Sequence, residues 1–203
     1  MFADKTHSLA RNLGFFGASV LLATVVAIGL TTSFAATSQT PSTRTYTTPN
    51  HGRLELVVPK AWKDSISQPP GDLPPTITFS PAQGSNFKFL VTPVWSVTSE
   101  HSFNSSEKIR ALLESRGQKL LAQAVEKRVV LNELKGPTTA GYFFTLTDRS
   151  YDSTNSDDYK YATQGAIAAG NLLVTFTFLT NKKDAPELQR ALEVLKSAIQ
   201  KLK

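Results

Sequence analysis

The apolar positions of this chain recur with two periods, and the switches between them mark out its elements. In Arg53–Val58, Leu54, Leu56 and Val58 fall on one face at a period of two, the pattern of a half-buried strand. Pro59 ends that strand, and the rigid turn Pro59-Lys60-Ala61 delivers Trp62 to cap one end of the core, with stacking on a ligand as its alternative role. Proline pairs at 69–70 and 74–75 bracket a loop. Residues 76–79 and 87–95 then read as strands. In the second, Phe87, Phe89 and Val91 share one face, and Pro93 suggests an edge or a bulge.

The period changes after Asn104-Ser105-Ser106-Glu107, which has the form of a capping box with Asn104 as cap and Glu107 reaching back. Ile109, Leu112, Leu113, Leu120, Leu121 and Ala124 follow at helical spacing, and Gly117 marks a break between two helical pieces. Residues 128–134 and 141–146 read as an antiparallel pair across Lys135-Gly136-Pro137. After a polar loop at 148–158, residues 159–168 and 172–179 form another pair. The second strand of it is apolar on one side and Thr-rich on the other, which places it in the sheet interior. Asp184-Ala185-Pro186-Glu187 opens a last helix with Asp184 as cap, and Leu188, Leu192, Leu195, Ile199 and Leu202 line one face of it. Short links between strands, with two separated helices, predict an α+β domain: an antiparallel sheet of six or seven strands with helices packed on its faces.

The N-terminal part carries different patterns. Residues 12–30 hold no charge and follow Lys5 and Arg11, the order of a secretory leader. Ser33 and Ala35 supply the small residues before a cut between Ala35 and Ala36. The division expected is therefore a signal peptide at 1–35, a flexible tether at 36–51 rich in Thr, Ser, Pro and Gln, and one folded domain at 52–203. The competing reading keeps the apolar stretch as an uncleaved anchor, since 13–30 just meets the length that spans a bilayer. Either way the domain is placed beyond the membrane, in the periplasm or outside the cell, with membrane contact only through the leader.

Composition narrows the chemistry. The chain has 203 residues and no cysteine, which removes disulfides, thiolate metal sites, thiol nucleophiles and an N-terminal lipid. Its formal net charge of +6 is mild, and no basic cluster interleaves with aromatics, so nucleic acid is not expected as a partner.

A strand ending in proline with Trp62 soon after, a mid-chain helix, the Gly141-Tyr142 strand opening, the Gln164-Gly165 strand, residues 172–179 and a closing amphipathic helix occur in an order that resembles the PsbP-like family. The likeness runs over nearly the whole domain, and it implies an α/β/α sandwich around a central, mostly antiparallel sheet, used mainly as a binding or accessory module. It transfers no metal-site residue and no photosynthetic role to this chain.

Candidate sites are few. Asp148, Asp152, Asn155, Asp157 and Asp158 crowd one loop; hard cations such as calcium favour such oxygens, and Asp152, Asp157 and Asp158 are the candidate ligands. The spacing departs from an EF-hand, and a solvated loop satisfying its own backbone is the preferred reading. His51 and His101 lack a partner at metal-ligand spacing. Phe87, Phe89, Trp95, Tyr142, Phe143 and Phe144 are expected in the core rather than around a ligand. Hydrolase, phosphate-loop and metalloprotease motifs are absent, no cofactor is implied, and the expected function is a non-enzymatic accessory or binding protein of the cell envelope. Its partner is an envelope protein or component. The alternative is a domain that binds a small ligand or divalent cation, with an envelope enzyme as a third reading. A pocket of convergent polar groups distinguishes the second, and a flat apolar patch the first.

Overall fold

The computed structural model describes residues 40–84, 86–98 and 102–202. Ten strands and two helices follow one another as β1 (Ser42–Thr47), β2 (Arg53–Val58), β3 (Trp62–Ser67), β4 (Thr76–Pro81), β5 (Phe87–Val94), α1 (Ser106–Leu120), β6 (Asn132–Lys135), β7 (Thr139–Thr147), β8 (Tyr161–Ala169), β9 (Leu172–Thr180), α2 (Pro186–Lys196) and β10 (Ile199–Lys201). They form two antiparallel sheets, a seven-stranded one in the order β3-β4-β5-β9-β8-β7-β6 and a three-stranded one in the order β1-β2-β10.

The α+β class and the antiparallel main sheet agree with the sequence reading. The single sheet does not, because the chain divides its strands between two, and the protein is dominated by sheet rather than by flanking helices.

Alternation along β5 and β9 gives the main sheet two unlike faces. Phe87, Phe89 and Val91 join Val174, Phe176 and Phe178 on the inner face, where Leu54, Leu56 and Val58 of β2 and Leu188, Leu192 and Leu195 of α2 close over them. Burial of these side chains, each stabilising by about 1.5–3 kcal/mol, holds the small sheet and α2 to the large one. On the other face α1 sets Ile109 and Leu113 against Phe144, Leu146, Ala166 and Leu173. That helix packs on β7 and β8, and among the described residues no helix covers the β3-β4-β5 side of this face.

Several elements differ from expectation. The segment 36–51 is not a tether over its later part: Ser42–Thr47 is β1, paired with β2 along its whole length. Its composition is polar because only one face is covered, with Tyr46 as the buried apolar residue. Residues 62–67 form β3, an edge strand whose side chains are exposed after Trp62. The strand expected at 128–134 is confined to Asn132–Lys135.

Both predicted caps move. Ser105, not Asn104, caps α1 by accepting from the Lys108 N–H at 3.4 Å. Asn104 instead ties the helix to the β8–β9 turn by donating to the Gly170 and Leu172 carbonyls, both at 3.0 Å. At α2 the cap position is Ala185 with no side-chain bond, so Asp184 does not cap. The last helix also stops at Lys196. Ser197 donates to the Val194 carbonyl at 2.6 Å and accepts the Val57 N–H at 2.9 Å, which turns the chain into β10 beside β2. Gly117 is a close approach rather than a break, since α1 runs through it and a Cβ there would lie 2.6 Å from Val129 Cγ2.

Candidate functional site

Strand register turns scattered threonines into rows. On the face that carries α1, Ser67 of β3 stands opposite Thr76 of β4, and Thr92 of β5 opposite Thr175 of β9. The Thr76 and Thr92 hydroxyls are 2.9 Å apart, and Thr175 Oγ1 donates to the Thr92 carbonyl at 3.3 Å. Four neighbouring strands therefore present hydroxyls in one row about 14 Å long, at the strand spacing of about 4.8 Å. Beside it runs a second row, in which Thr78 faces Leu90, Leu90 faces Thr177, and Thr177 faces Gln164 of β8.

These rows form the floor of an open trough of about 570 Å³ whose wall is α1, through Leu112, Leu113 and Arg116. The spacing predicts Leu112 in the core stripe of the helix, yet it is 44 % exposed and lines the open trough. Arg116 is the only charged side chain among the described residues lining the trough. Its Nε donates to Gln164 Oε1 at 2.6 Å, which fixes the guanidinium over the end of the second row and satisfies a buried amide oxygen. Among the described residues, the lining contains no imidazole, carboxylate or thiol to act as a base beside the hydroxyls.

The residues singled out in the sequence lie elsewhere. In the 148–158 loop, Asp148 Oδ1 accepts from the Ser150 N–H and hydroxyl, both at 2.8 Å, and Asp152 Oδ1 accepts from the Thr154 N–H at 2.8 Å and hydroxyl at 2.7 Å. The Thr154 hydrogen bonds hold the Asp152 carboxyl below its ordinary value. Asn155 Oδ1 accepts the Asp157 N–H at 3.0 Å, Asp157 is exposed, and Asp158 is buried. The side-chain oxygens of Asp148, Asp152 and Asn155 thus accept from the loop's own backbone and hydroxyls.

His51 stacks on Trp95 with ring centroids 4.7 Å apart, joining the β1–β2 turn to the end of β5. Trp62 packs with Phe79, Phe87 and Phe89 in the main core, and Phe144 lies under α1. Phe143 is half-buried against the main core and Tyr142 against the α1 side. His101, Ala35 and Ala36 are outside the described residues.

The trough went unnoticed in the sequence although its signal is present. Thr-x-Thr occurs in β4 and again in β9, and the Thr-rich face of β9 was assigned to the sheet interior. β9 is central in the sheet, so the position was right; the helix expected over that face covers only part of it.

No family model and no curated protein matches the chain. Among solved structures it is similar to the solution structure of cyanobacterial PsbP (CyanoP) from Synechocystis sp. PCC 6803, with 12% sequence identity, a TM-score of 0.43, and coverage of 85% of this chain and 100% of that one.

Proposed function

We propose that the protein is an exported, non-enzymatic binding module and that the hydroxyl-lined trough between α1 and the β3-β4-β5 side of the sheet is where it takes a small polar ligand. The observation that carries this reading is the convergence of Ser67, Thr76, Thr92, Thr175, Thr177, Gln164 and Arg116 on one concavity. Serines and threonines without a neighbouring base hold ligands by hydrogen bonds, and the methyl groups of threonine add apolar contact. Export follows from the leader at 1–35, and the α/β/α sandwich of the PsbP-like family is the architecture to which we assign the two-sheet arrangement.

The test is a ¹H–¹⁵N correlation spectrum of the domain recorded against a library of small polar molecules. Binding is expected to move the amides of 76–78, 90–92, 164–166 and 175–177. A screen in which every binder moves the β1-β2-β10 sheet or the 148–158 loop instead would overturn the proposal.

A further inference from the structure

Resting on that reading, the geometry points to the class of ligand: a small hydroxylated carboxylate, of the sugar-acid type, held by its acid group on Arg116 and by its hydroxyls on the nearer part of the floor, Thr177, Thr175 and Thr92. Three observations converge on it. The first is charge. Arg116 brings a positive charge into a lining that otherwise consists of hydroxyls, one amide and apolar groups. An anion is therefore attracted there with no carboxylate among the described lining residues to compete.

The second is the state of the guanidinium. Only Nε is engaged, by Gln164, and Nη1 and Nη2 have no partner among the described residues. Two terminal N–H groups of an arginine fixed at its Nε match the two oxygens of one carboxylate in parallel. A phosphate dianion would meet a single positive charge, since the described residues lining the trough include neither a second cation nor a helix N-terminus beside Arg116.

The third is the floor. A threonine hydroxyl both donates and accepts, so a row of them pairs with a ligand that carries hydroxyls itself. The exposed Leu112 and the threonine methyls offer apolar contact to the carbon faces of such a ligand. An aliphatic acid would leave the remaining hydrogen-bonding capacity of the hydroxyl row unused, and a neutral sugar would leave Arg116 unused.

D-glucuronate, D-glucose and D-glucosamine form a matched set of anionic, neutral and cationic probes. Titrated into the domain at low salt and followed by amide shifts, glucuronate is expected to bind at 76–78, 90–92, 164–166 and 175–177 at least tenfold more tightly than glucose, with glucosamine weakest. The order is expected to be compressed by added salt. In R116Q, whose amide still donates to Gln164, glucuronate binding is expected to fall at least tenfold and the preference over glucose to vanish. The comparison of probes on the unaltered protein stands even where R116Q folds poorly.

Glucose binding within twofold of glucuronate, or a preference for glucosamine, would show a neutral or cation-selecting trough and overturn the assignment while leaving the trough as a ligand site. No response to any of the three, with other library molecules binding in the trough, likewise overturns the assignment alone. A trough that responds to nothing overturns both.

Discussion

At the scale of residues, the junction between the two sheets rests on a small polar cluster. Arg44 donates from Nη1 to Asp64 Oδ1 and from Nη2 to the Trp62 carbonyl at 2.7 Å, while the Tyr46 hydroxyl donates to Asp64 Oδ2 at 2.9 Å. Burial, then the hydrogen bond to Asp64, pushes the Tyr46 phenol well above its ordinary value. The neutral phenol is thus favoured in the folded state. Its contribution is whole below the unfolded value of about 10 and is lost as pH rises beyond that. We expect Tyr46→Phe to lose about 1 kcal/mol at pH 7. We also expect it to show a shallower loss of stability than the unaltered protein between pH 9 and 11, as read from urea melts. Equal slopes would remove Tyr46 from the alkaline transition.

Gly117 poses a contest of two effects of known size. Alanine would gain about 1 kcal/mol of helix propensity, but its Cβ would meet the stiff Val129 side chain at 2.6 Å. Overpacking costs about 1–3 kcal/mol, so Gly117→Ala is expected to destabilise. Adding Val129→Ala should recover most of the loss in chemical denaturation. No recovery would mean that the contact is not the cause.

Elements show where physical reasoning from sequence works and where it stops. Strands with strict alternation, β2, β5 and β9, were legible because a covered face leaves its mark in every second residue. α1 was legible through its stripe at Ile109 and Leu113. β1 and β3 were not, because each lies at a sheet edge with one buried large side chain, Tyr46 or Trp62, and otherwise polar residues. β10 was read as helix since Ile199 and Leu202 continue the spacing of α2. The stop is imposed by Ser197 bonding to Val57, a partner 140 residues away. Of the candidate site, the threonines were visible as a pattern, but the open space above them depends on where α1 comes to rest.

The structure of β1 makes a prediction that a tether would not. Removing it exposes Leu54 and Leu56 and deletes the buried Tyr46, a loss of about 3–5 kcal/mol. A chain beginning at Gly52 is expected to melt on the order of 10 °C below one beginning at Thr40. Equal melting temperatures would restore the tether.

At the scale of the whole molecule, the two faces of the main sheet are treated unequally. One is sealed by the small sheet and α2, and there the side chains are the large apolar ones of a core. The other is sealed only under α1, and beyond the helix the side chains change to Thr76, Thr78, Thr92, Thr175 and Thr177. There the paired hydroxyls lie beside α1, whose Arg116 is held by Gln164. The proposed role asks of this face that it exchange water for a ligand. Among the described residues no helix is long and apolar enough to cross a membrane.

The most direct measurement is to fill the trough and ask whether binding goes with it. Thr78 is half-buried on the trough floor, and Thr78→Trp places an indole in the space without touching the main core. The account predicts that the library molecules that move the 175–177 amides in the unaltered protein leave Thr78→Trp unmoved, while its melting temperature stays within a few degrees. Binders that act on Thr78→Trp as they do on the unaltered protein would contradict it.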